Sequence, residues 1–151
     1  MKKLDLSAVE EESRTATFIG RPLYFVSFIA VSMSLFHIYT AIFGVFDSIM
    51  QRSAHLLFAL ILTFALYPLS KKMKKQTIPW YDYVLIILAI AVYSFFMINS
   101  SSIGSRISYV QPLSTLEIVI SIIAGILLIE ATRRTIGNAL VIIMILAIAY
   151  G

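Results

Sequence analysis

Apolar residues in this chain are gathered into long blocks, spanning positions 22–46, 53–69, 83–98 and 113–131, with a fifth at 136–151. Each of the first four approaches or exceeds the roughly 20 residues that cross a hydrocarbon core of about 30 Å at 1.5 Å per residue. Lipid offers no water to backbone amides and carbonyls, so a spanning segment must satisfy them internally, and open strands are excluded. The reading is an all-α integral membrane helical bundle: four transmembrane helices plus a truncated fifth hydrophobic helix.

Composition supports this. The chain is 60% hydrophobic and 13% charged, against about 45–50% and 25% for soluble domains. The net charge of +4 raises the question of nucleic acid, but the charges sit at the ends of the apolar blocks, and no nucleic-acid partner is expected. The chain has no cysteine, which removes disulfides, thiolate metal sites and cysteine nucleophiles.

Basic residues flanking membrane spans are retained in the cytoplasm. Lys2, Lys3, Arg14 and Arg21 precede the first block, Lys71, Lys72, Lys74 and Lys75 separate the second from the third, and Arg133 and Arg134 follow the fourth. Only Arg52 and Arg106 fall on the other side. A multi-pass protein with a cytoplasmic N-terminus is predicted. Residues 1–20 form a cytoplasmic tail rather than a cleaved signal, because Glu10, Glu11 and Glu12 separate the early lysines from any apolar run. Ser7-Ala8-Val9-Glu10 has the form of a capping box, so a short helix there competes with a disordered tail. Residues 21–135 form the four-helix domain, and 136–151 start a further membrane helix, whose apolar end leads to the expectation that the natural polypeptide continues.

Before the third block, Pro79 suits a first helical turn, Asp82 complements the positive end of the helix dipole, and Trp80 and Tyr81 suit the headgroup layer. Residues 99–114, with Ser100-Ser101-Ser102 and Gly104, form the longest outer loop.

Polar side chains within spans are costly and mark function or helix pairing. His37 lies near the middle of the first span with Tyr39 and Thr40; a neutral histidine bonded to a neighbouring helix is favoured over a proton relay or ion ligand. Arg52 and His55 share one face at the start of the second span, and snorkelling or pairing with Asp47 accounts for Arg52. An anion site is the minority reading. Glu117 and Glu130 bracket the fourth helix, and Arg133 and Arg134 follow Glu130 at the spacing of a local ion pair in the headgroup region. Ser121 and Gly125 form a small-residue pair that admits close helix approach. His37 and His55 lie on different helices with no third ligand nearby in sequence, which leaves a zinc site unsupported. With no hydrolase elbow, zincin motif or phosphate loop, a non-enzymatic protein is expected, without catalytic, cofactor-binding or metal residues. Four spans joined by short loops, without an inverted repeat, suit an accessory domain better than a complete carrier.

Four motifs occur in order: residues 36–44 (FHIYTAIFG), 51–56 (QRSAHL), 79–82 (PWYD) and 128–137 (LIEATRRTIG). From about Arg21 onward the chain resembles the N-terminal, small-subunit-like region of fused permeases of the tripartite ATP-independent periplasmic (TRAP) transporters of the TAXI type. The resemblance implies a secondary transporter in a bacterial or archaeal cytoplasmic membrane. There, an extracytoplasmic binding protein captures an organic anion, and an ion gradient, commonly sodium, drives import. It further implies that this part scaffolds a large permease domain or subunit, which holds the substrate and coupling-ion sites, so that no cofactor is expected in this chain. Membrane lipid, the large permease and the binding protein are the implied partners, with Arg52, Arg106 and Tyr109 as candidate contacts to the binding protein. The alternative is a non-transporting membrane scaffold or assembly protein.

Overall fold

The computed structural model describes residues 21–67, 69, 78–106 and 111–150. Among these residues the chain is all-α, with six helices and no strand. They are α1 (Arg21–Phe43), α2 (Ser48–Leu66), α3 (Trp80–Ile98), α4 (Ser100–Gly104), α5 (Thr115–Thr135) and α6 (Asn138–Tyr150). Four of them, α1, α2, α3 and α5, are long and apolar enough to cross a membrane. This is a multi-pass membrane protein. At 19–23 residues these helices measure about 28–35 Å, which matches the hydrocarbon core. The thirteen residues of α6 give about 20 Å.

Local chemistry accounts for the boundaries. After α1 the chain turns at Gly44, whose φ of 99° suits a residue without Cβ; its amide donates to Thr40 O at 3.1 Å. Asp47 then caps α2 by accepting from the Ile49 amide. The second helix therefore starts at Ser48, five residues before the apolar block that marked it in sequence. Pro79 stands one residue outside α3, as its extended N-cap, rather than in its first turn. A full capping box opens α5: Ser114 Oγ accepts from the Glu117 amide, and the Glu117 carboxylate accepts from the Ser114 amide. Gly137, at φ 108°, ends it. The expected 99–114 loop contains the one-turn helix α4, which packs on the start of α2.

The core lies between α2, α3 and α5. Leu60, Ile61 and Phe64 of α2, Ile86, Ala89, Val92 and Tyr93 of α3, and Ala124, Leu127 and Ala131 of α5 form one buried cluster. In lipid the tails are as apolar as leucine, so close packing rather than water expulsion favours this association, and small residues assist it. Ala89 is fully buried. The small-residue contact on α5 runs through Ala124 and Ala131, not the expected Ser121 and Gly125: Ser121 is exposed, and a Cβ added at Gly125 would meet nothing within 4 Å among the described residues. The reason is rotational, since the face of α5 turned to the core carries positions 124, 127, 131 and 134. Helix α1 packs on α2, and α6 touches α5 while burying none of its residues. The tail with Ser7 to Glu10, the Lys71 to Lys75 run and Tyr109 lie outside the described residues.

Candidate functional site: two polar ends of the bundle

Successive long helices run in opposite directions, which brings widely separated polar residues to two ends. One end gathers Tyr67, Asp82, Glu130, Arg133 and Arg134. Arg134 Nη1 donates to Asp82 Oδ1 at 2.7 Å and to the Tyr67 carbonyl at 3.3 Å, and its Nε donates to Glu130 Oε1 at 2.7 Å. Its guanidinium carbon stands 5.2 Å from the centroid of the Phe64 ring, within cation–π range. One side chain thus joins α5 to α3, to α2 and to the residue following α2. The Arg134 and Asp82 side chains are 1% and 0% exposed.

Sequence reasoning expected Glu130, Arg133 and Arg134 to form a local pair in the headgroup region. The local pair is present: Arg133 donates to both Glu130 oxygens at 2.8 Å. The surroundings differ from that expectation in two ways. Both arginines belong to the last turn of α5 rather than following it, and Arg134 is buried among three helices. Asp82, read as a dipole partner, is a buried ion-pair partner as well. Its 52-residue separation from Arg134 leaves no local signature, and an acidic residue in a first turn already has a sufficient local explanation. Beside the cluster an open surface pocket of about 410 Å³ is lined by Trp80, Tyr81, Val84, Leu85, Glu130 and Arg134, with Leu69. Trp80 itself is 78% exposed, as a headgroup-layer residue would be.

At the other end, both guanidinium Nη atoms of Arg106 donate to the Glu117 carboxylate, leaving these side chains 19% and 17% exposed. This hydrogen-bonded pairing holds the Arg106 guanidinium above its ordinary pKa. Sequence reasoning missed the pair, because the two residues fall in different elements and neither has an oppositely charged partner at helical spacing. Asp47 does not pair with Arg52: its carboxylate is taken by the α2 N-cap, and Arg52 is exposed and forms no ion pair among the described residues.

The same end joins the two histidines. His37 Nε2 and His55 Nδ1 are 3.1 Å apart, linking α1 to α2, with ring centroids 5.1 Å apart. This is the interhelical bond that the sequence favoured for His37, with His55 as the partner. A second polar link lies alongside: Gln51 Nε2 donates to Thr40 Oγ1 at 3.3 Å, and that hydroxyl donates to His37 O. Tyr39 is half exposed and packs on Phe43 and Phe46, away from this network. Among the described residues, the buried Tyr93 hydroxyl and Gln51 Oε1 have no hydrogen-bond partner.

Comparison of the chain with protein-family models, curated proteins and solved structures finds no match.

Proposed function

We propose that this chain is the scaffold-like small component of a TRAP-type secondary transporter of the TAXI type, in a bacterial or archaeal cytoplasmic membrane with its N-terminus inside. It acts with a large permease domain or subunit and an extracytoplasmic binding protein, and an ion gradient, expected to be sodium, drives organic-acid import. The family resemblance supplies the system. The observation that carries the scaffold role is the Arg134 cluster: a buried guanidinium holding α2, α3 and α5 together suits a framework that stays fixed while a partner moves against it. Large apolar side chains along α1, such as Phe28, Val31, Leu35 and Ile42, are exposed, and supply surface for lipid or for the permease.

In this reading the Arg134 end faces the cytoplasm and the Arg106 end faces outward. Two measurements test it. A tagged chain expressed in its own cells is expected to copurify with a large multi-helix permease, and its deletion is expected to abolish organic-acid uptake that depends on a binding protein. Copurification of unrelated membrane proteins with uptake intact would favour the non-transporting scaffold. Orientation is accessible because the chain has no cysteine. A Ser105→Cys variant should react with an impermeant maleimide in intact cells, and a Gln76→Cys variant only after lysis.

A further inference from the structure

We propose that His37 and His55 form a two-imidazole site for a divalent transition-metal ion of the zinc class, which clamps α1 to α2. Neutral imidazole is a favoured ligand for such ions, whereas the hard cations Mg²⁺ and Ca²⁺ select oxygen. Two Zn–N bonds of about 2.0–2.1 Å at a tetrahedral angle place the two nitrogens about 3.3 Å apart. His37 Nε2 and His55 Nδ1 already stand 3.1 Å apart, so a metal ion enters with a small movement of the rings.

In the metal-free pair, one of these nitrogens donates its hydrogen to the other. Metal binding needs a lone pair on each, so the donating ring shifts its proton to its other nitrogen, and both rings stay neutral. An imidazolium has no lone pair to give, and acid therefore competes with the metal. His55 lies about two helical turns from the start of α2 and is exposed. Among the described residues no group of three or more ligating side chains gathers; water or another exogenous ligand would complete the coordination. The charged groups on that end of the two helices are Arg52, exposed one turn before His55, and Asp47, engaged at the α2 N-cap. The hydrogen bond from Gln51 to Thr40 bridges the same two helices and holds α1 and α2 in register.

The test uses the full chain, purified in detergent with a histidine-free tag, because its two histidines are then the only ones present. Isothermal titration with Zn²⁺ should find one ion per chain, with weaker binding at pH 5.5 than at pH 7.5 and none for Mg²⁺. His37→Gln and His55→Gln should each weaken binding at least about tenfold, the lower end of what loss of even a ligand-orienting partner produces. In the unaltered chain, Zn²⁺ should protect both histidines together from diethyl pyrocarbonate, read by peptide mass spectrometry, which keeps the proposal testable if a variant misfolds. Zn²⁺ affinity unchanged in either single variant, or equal modification of both rings with and without Zn²⁺, would overturn it.

Discussion

The two ends of this bundle use the same chemistry, arginine paired with carboxylate, in opposite settings. At one end Arg134 and Asp82 are almost completely enclosed, and the guanidinium reaches a second carboxylate, a backbone carbonyl and an aromatic ring. At the other, Arg106 and Glu117 keep partial exposure and join a loop to a helix start. A buried pair gains strong attraction but leaves a costly lone charge if either member is removed, while a partly solvated pair can be replaced by water at little cost. The first end therefore holds three helices, and the second tidies one turn.

Substitutions can break this contrast, and thermal or denaturant unfolding of the purified chain in detergent measures them on one scale. The largest loss is expected for Asp82→Asn or Arg134→Met, about 3–5 kcal/mol, because each breaks the ion pair that is enclosed in the packed interior. Replacing both residues, as Asp82→Leu with Arg134→Met, should recover most of that loss, since no lone partner remains. Failure of the double variant to recover would mean that the contacts to Tyr67, Glu130 and Phe64 matter more than the ion pair itself.

Next comes Leu127→Ala, at about 2 kcal/mol. Lipid solvates an unfolded leucine well, so the transfer component shrinks and the cavity component remains. Ser114→Ala should cost about 1 kcal/mol through loss of the α5 cap, visible as a lower melting temperature and faster amide exchange in the first turn. Arg106→Gln should have the smallest effect, and the difference from the unaltered chain should shrink further as salt rises, because salt screens partly solvated charges more than enclosed ones. An effect of Arg106→Gln as large as that of Asp82→Asn would erase the distinction between the ends.

Much of the framework was readable from residue order. Four apolar blocks announced four long helices, whereas the glycine turns at Gly44 and Gly137 and the capping box of Ser114 with Glu117 emerged only with the structure. Boundaries moved where polar residues lie within a helix that hydropathy alone would cut short, as with Ser48, Gln51 and Arg52 in α2 and with Thr132 to Thr135 in α5. The site was legible only in its parts. Glu130 with Arg133 and Arg134 followed from helical spacing, but the rotation of α5 that sends Arg134 inward and leaves Arg133 at the edge has no sequence signature on this helix, whose apolar residues are spread around it rather than gathered on one face.

The sequence by itself determined that the chain is helical and suited to a membrane, because hydrocarbon forbids unpaired backbone and the length of an apolar run is a local property. The tertiary structure decided which polar side chains meet. Asp82 with Arg134, Arg106 with Glu117 and His37 with His55 each join different elements, and their encounters depend on how antiparallel helices rotate and slide while burying Phe64, Ala89 and Leu127. That choice is made by shape complementarity summed over several helices, and no single segment contains it.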